Sequence, residues 1–241
     1  MMTIASCGTV SAHTLGLSAK TAIPASKGEL PKQVFYAKAT ISSRLKKHFT
    51  DQVESITMLG LLRSTNTGLA EGARCREILV LGIRITGNTP EDVLSFIASR
   101  RASGIIFVIV RDADAAEDGT AAAVRQECAL AVCRKAPGRI GHIAESKTYV
   151  GPWKPAGEAR LALRGTTLDE AWDSFCAQAI LGDDDGTDLD ARIRRRDDIA
   201  SLRAQIAKLE RDHGRARQPA QRNEIYAKLH KARKQLDDLM A

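Results

Sequence analysis

The chain has 241 residues, of which 44% are hydrophobic and 27% charged. That composition allows a sizeable buried core and excludes wholesale disorder. The formal net charge of +7 favours contact with nucleic acid or acidic proteins without selecting between them.

Met1–Leu17 contains no basic start followed by an apolar run, so no secretion signal is expected, only a flexible lead over residues 1–22. TAIPASKGELPKQVFYAK sets a proline on each side of a glycine-containing turn and reads as an irregular arm. SSRLKKHFTDQ has Ser42 or Ser43 as N-cap and a helical charge pattern beyond. VESITMLGLLR and REILVLGIRIT read as strands, joined by the turn-rich STNTGLAEGA.

NTPEDVLSFIASRR has Asn88 or Thr89 as cap, Pro90 in the first turn, and Glu91 and Asp92 at the positive end of the helix dipole. The run GIIFVIV then has the composition of a central strand buried on both faces. It is far too short to span a bilayer, so no membrane partner is expected. Strand, capped helix and buried strand together predict a βαβ crossover.

ECALAVCRK, HIAESKTYVG and EARLALR read as shorter strands of an antiparallel meander. TLDEAWDSFCAQAI reads as a helix capped by Thr167 or Asp169, with Leu168, Trp172, Phe175 and Cys176 on one broad face. LGDDDGTD interrupts this pattern. The expected organisation is an α/β domain over 23–182, an acidic linker over 183–187, and a charged helical hairpin over 188–241.

In that last segment Ile199, Leu202, Ile206 and Leu209 recur at steps of three and four. Ile225, Leu229, Ala232, Leu236 and Leu239 do the same. Such narrow stripes fit a coiled-coil seam. Gly214 and Pro219 interrupt a continuous rod, which predicts two antiparallel helices around RARQPA, or an intermolecular coiled coil if copies self-associate. The fold class is therefore α/β: a mixed β-sheet with crossover helices, followed by a C-terminal antiparallel helical hairpin or coiled coil.

Charge concentrates in that tail: from Asp188 onward there are 14 Lys or Arg against 9 Asp or Glu. Arg215, Arg217, Arg222, Lys228, Lys231, Arg233 and Lys234 are candidates to meet an acidic protein or nucleic-acid phosphates. Equally, they fit a solvated exterior that keeps a coiled coil soluble. Few aromatics interleave them, so a stacking platform for single strands is poorly supported.

Chemical motifs are sparse. Cys7, Cys75, Cys128, Cys133 and Cys176 form no CxxC, which argues for a reducing, cytoplasmic setting and against structural zinc. His13, His48, His142, His213 and His230 form neither HxH nor HExxH. Asp183–Asp185 lack the spacing and closing glutamate of a calcium loop. No metal site is expected, nor any phosphate-binding loop or GxSxG elbow.

One catalytic alternative remains open. Glu77, Asp112, Asp114, Glu145 and Lys147 are acidic groups and a lysine near strand ends, the residue types of a metal-dependent nuclease. Only that alternative calls for a cofactor, Mg²⁺ or Mn²⁺. Trp153, between prolines in YVGPWKP, reads as a loop anchor.

The order of IPASKGELPKQVFYAK, the short basic helix, VESITMLGLLR, REILVLGIRIT, TPEDVLSFIA, GIIFVIV and the YVGPW loop resembles a bacterial family, domain of unknown function 4391. The resemblance implies an α/β body with a charged tail and a neighbourhood of helicases and DNA methyltransferases in restriction-like or antiviral clusters. It transfers no catalytic set. The expected function is a non-enzymatic accessory or scaffold subunit of a DNA-acting complex, bound to a protein such as a helicase or DNA methyltransferase through the hairpin. A metal-dependent nuclease and a non-catalytic duplex-binding protein are the alternatives.

Overall fold

A computed structural model describes residues 3–37, 39–113, 125–135 and 146–240. The chain divides into two compact units, Met1–Thr187 and Asp188–Ala241. The first is built on a seven-stranded mixed sheet. Its elements in chain order begin with β1 (Ser6–Cys7), β2 (Val10–Ser11), α1 (Ala25–Gly28), β3 (Glu29–Leu30), α2 (Gln33–Tyr36), α3 (Ser43–Asp51), β4 (Val53–Leu62) and α4 (Ser64–Thr67). They continue with β5 (Ile78–Ile85), α5 (Glu91–Ser99), β6 (Gly104–Asp112), β7 (Gln126–Lys135), β8 (Ser146–Val150), β9 (Lys154–Pro155) and α6 (Leu168–Ile180).

The sheet order is β3-β4-β5-β6-β7-β8, with β9 beside β7. β5 and β6 are parallel, with Ile78 opposite Gly104, and α5 makes the crossover between them. The other pairings in this sheet are antiparallel. The expected βαβ unit is thus present inside a mixed sheet.

Alternation explains the two buried faces. Leu79, Leu81, Ile83 and Ile85 share one core with Ile105, Phe107 and Ile109, and this core takes in Phe49 of α3 and Val93, Leu94 and Ile97 of α5. On the alternate positions Ile78, Val80, Ile106, Val108 and Val110 are also fully buried. Each such side chain contributes roughly 1.5–3 kcal/mol by leaving water.

The N-terminal residues do not form the expected flexible lead. β1 and β2 pair as a hairpin, and Ala5, Cys7, Val10, Ala12, Leu15 and Leu17 are buried. Cys7 seats directly against Gly82 of β5, where any Cβ would collide with it. Thr9 N–H donates to Oε1 of Gln126 at 2.7 Å, tying the turn to the start of β7. Gly8, at φ +57°, makes that turn, and a side chain there would run into Gln126.

Three local expectations also change. EARLALR is not a strand: a 3-10 turn covers Ala156–Glu158, and the extended remainder is held by α6. Gln178 bonds both the N–H and the C=O of Ala162, each at 2.8 Å, supplying from a side chain what a neighbouring strand would give. The N-cap of α5 is Pro90 itself, with no capping side chain. Residues 183–187 do not form a free linker. Ser174 Oγ donates to the Asp184 carbonyl at 2.8 Å, and Arg164 binds the Asp184 carboxylate at 2.6 Å.

The second unit is a packed pair of helices, α7 (Leu189–Arg215) and α8 (Pro219–Met240). α7 runs through Gly214, and Pro219 occupies the first position of α8, where its missing N–H costs nothing. Arg195 Nε donates to the Leu239 carbonyl at 2.8 Å, and Arg233 binds Glu210 at 2.7 Å. These pairings fix an antiparallel hairpin. Along its seam Leu229 and Ala232 are buried, whereas Ile199, Leu202, Ile206, Leu209, Ile225, Leu236 and Leu239 remain half-exposed.

Candidate interaction surface and the strand-end charges

Strand direction decides what the acidic residues can do together. Glu77 precedes β5, and its carbonyl accepts from Gly104 N–H at the opening of β6. Asp112 closes β6, eight residues further along. At about 3.3 Å per residue the two carboxylates stand roughly 26 Å apart, at opposite ends of the sheet. Lys147 pairs with Arg134 on β7, while Asp112 pairs with Gln126 at the other end of that strand. The proposed nuclease residues Glu77, Asp112 and Lys147 therefore do not converge; Asp114 and Glu145 lie outside the described residues.

Each of the two described carboxylates is occupied by protein groups. Ser103 Oγ donates to one oxygen of Glu77 at 2.7 Å, and Arg63 binds the other at 2.6 Å. These bonds hold the Glu77 carboxyl below its ordinary range. At the far end Arg84 bridges Glu54 at 2.7 Å and Asp112 at 2.9 Å. Among the described residues no three His, Cys, Asp or Glu side chains are grouped so as to hold a metal ion.

Two carboxylates shape the body: Asp169, which sequence reading offered as an alternative cap of α6 although Thr167 is the cap, and Asp173, which it did not single out. Asp169, on the first turn of α6, accepts from the N–H groups of Ala73, Arg74 and Cys75 at 2.9, 3.1 and 2.7 Å. Burial opposes its ionisation, but those three donors outweigh burial and keep its carboxyl below the ordinary range. One turn on, Asp173 binds Arg74 at 2.8 Å and Arg134 at 3.0 Å. The only advance signal was the acidic first turn of α6, and its partners lie about 95 residues upstream.

Trp153 occupies the break between β8 and β9. It packs against the main core, and the guanidinium of Arg111 lies 4.0 Å from its ring centroid. The thiols are structural in character. Burial pushes Cys7 and Cys176 up to about 12 and also raises Cys75, Cys128 and Cys133, which suppresses thiolate chemistry.

The seven candidate binding cations of the hairpin are all exposed and separate into two groups. Lys228 pairs with Glu224 at 2.6 Å, Arg233 with Glu210 at 2.7 Å, and Arg222 reaches His213 at 3.4 Å. Arg215, Arg217, Lys231 and Lys234 make no ion pair among the described residues.

This architecture defines an α/β protein with a mixed sheet and an attached, charged helical hairpin. No helix among the described residues is long and apolar enough to cross a membrane. Residues 15–236 match the family described as Domain of unknown function (DUF4391), and the chain belongs to that family. No curated protein and no solved structure matches the chain.

Proposed function

We propose that the chain is a non-enzymatic accessory or scaffold subunit of a DNA-acting complex in the bacterial cytoplasm, of the restriction-modification or antiviral-defence kind. Its hairpin is the docking arm for a protein partner such as a helicase or DNA methyltransferase. The observation that carries this reading is the half-exposed seam. Two helices alone leave most of that apolar stripe partly in water, so a further surface packed against it gains burial.

The strand-end carboxylates support the non-enzymatic side, because Arg84 and Arg63 already neutralise them. A second reading, duplex binding, draws on Arg215, Arg217, Lys231 and Lys234, which make no ion pair among the described residues. Co-purification of the tagged chain from its native host tests the docking reading. A stoichiometric helicase or methyltransferase partner should be retained by the natural chain and lost from Leu229→Asp. Retention by both would defeat the hairpin as the docking arm.

A further inference from the structure

Bonds and ring packing across the seam gather on one flank of the hairpin. Arg222 Nε donates to His213 Nε2 at 3.4 Å, and the Tyr226 ring lies 6.2 Å from that imidazole. Arg233 binds Glu210 at 2.7 Å, and Arg203 reaches Met240 Sδ at 3.9 Å. Positions 222, 226, 233 and 240 follow one helical face at steps of four and seven, over about 27 Å of helix. Tyr226 is 58% exposed and Met240 55% exposed, and they rank among the few exposed large hydrophobic side chains of the described residues.

The chemistry of this flank is specific. Arg222 and Arg203 meet an imidazole nitrogen and a thioether sulfur rather than carboxylates, contacts that steady their guanidinium groups. Between them stand an aromatic ring and a methionine, side chains suited to packing against another apolar surface. Below lies the half-exposed seam. A phosphate backbone would use the cations and leave Tyr226 and Met240 in water. A second copy laid on this flank would bring Arg203, Arg222 and Arg233 of each chain into one interface, where the carboxylate of Glu210 is already engaged by Arg233 of its own chain. An amphipathic helix with carboxylates bordering an apolar stripe satisfies both parts at once.

We infer that the flank bearing Arg203, Arg222, Tyr226, Arg233 and Met240 is the docking face for an acidic amphipathic helix, which completes a three-helix bundle with α7 and α8. This rests on the docking reading above and names the chemistry of the partner. The incoming helix sets Leu-type side chains against Tyr226, Met240 and the seam, and its Glu or Asp side chains meet Arg203 and Arg222.

The probe is a labelled helical peptide of about 25 residues, long enough to cover the flank, with Leu at every third and fourth position and Glu bordering that stripe. Its binding to the full chain is read by fluorescence anisotropy, beside the same peptide carrying Lys for Glu and a labelled DNA duplex. The Glu peptide should bind and the Lys peptide should not. Tyr226→Glu together with Met240→Glu should weaken the Glu peptide at least about tenfold, or ~1.4 kcal/mol, as should Arg222→Glu. Arg215→Gln with Lys234→Gln, outside this flank, should change it less than about twofold, or ~0.4 kcal/mol. All substituted positions are exposed, and matching circular dichroism melts establish that the hairpin persists.

Failure of the Glu peptide to bind overturns the assignment, as does binding insensitive to Tyr226 and Met240. Duplex binding that displaces the peptide and is lost with the same substitutions assigns the flank to nucleic acid instead. Dimerisation of the free chain that Tyr226→Glu abolishes assigns it to a second copy. The native complex separates the two levels: loss with Leu229→Asp but not with the flank variants keeps the docking arm and rejects this face.

Discussion

Arg84 and Asp112 meet across the parallel pair β5–β6, with one guanidinium nitrogen 2.9 Å from each carboxylate oxygen. Glu54 binds the same arginine from β4. The three side chains are 24–45% exposed, so solvent screens them and the network stabilises only modestly.

Replacing Arg84 by Leu should therefore lower stability by about 1 kcal/mol or less in urea unfolding, because two carboxylates then face each other. Adding Asp112→Asn should recover part of that loss. Strictly additive losses would show that the pair is not coupled. An Asp112 variant also tests chemistry: Mg²⁺- or Mn²⁺-dependent DNA cleavage that disappears with Asp112→Asn would promote the nuclease alternative over the accessory role.

Asp169 ties the backbone before β5 to α6 through three N–H donors. Asp169→Ala leaves three backbone donors without their acceptor and should cost about 3 kcal/mol. Asp169→Asn keeps one acceptor oxygen and should cost less. The pH signature follows from the lowered folded values of Asp169 and Glu77, whose ordinary values are 3.8 and 4.5. Their stabilisation is complete above those ordinary values and is lost as pH falls through the lower folded ones. Below about pH 4 the natural chain should lose stability more steeply than Asp169→Asn; parallel acid profiles would remove Asp169 from this role.

Leu229 is 6% exposed at the seam, and Leu229→Asp places a carboxylate there at a cost of several kcal/mol. Helical circular dichroism should fall while tryptophan fluorescence stays constant, since Trp153 and Trp172 both belong to the first unit. A change in both signals would make the two units one cooperative block, and a change in neither would place Leu229 outside the seam. Sedimentation of the natural chain distinguishes this hairpin from an intermolecular coiled coil.

Four exposed cations outside the Tyr226 flank give a separate outcome. Changing Arg215, Arg217, Lys231 and Lys234 to Gln should leave the hairpin folded. If they hold a duplex, affinity falls across unrelated sequences, and the salt slope drops by roughly 0.9 for each phosphate no longer neutralised. If protein docking is their only setting, duplex binding is negligible before and after.

The central strands were legible because Ile105–Val110 is buried on both faces and needs no alternation to announce it. α6 was legible from Thr167, whose hydroxyl accepts from Glu170 N–H as a cap should. The N-terminal hairpin was not. Ala5, Cys7 and Ala12 are small, and the surfaces that cover this hairpin, Gly82 and Gln126 among them, come from far along the chain. EARLALR misled because alternation cannot reveal that Gln178 replaces a partner strand. For the candidate site, Glu77 and Asp112 both sit at strand ends in sequence. Only the parallel register of β5 and β6 reveals that those ends are opposite.

The bond from Thr9 to Gln126 spans 117 residues and sets an order of events during synthesis. The β1–β2 segment must wait for β4, β5 and the start of β7 before it has a surface to pack on. At ~5–20 residues per second that delay is about 6–25 s. For that interval Val10, Leu15 and Leu17, buried in the folded protein, lack part of the surface that covers them. A segment made early thus completes its native contacts late. Its apolar side chains form the window in which a chaperone, or a premature encounter between neighbouring nascent chains, acts.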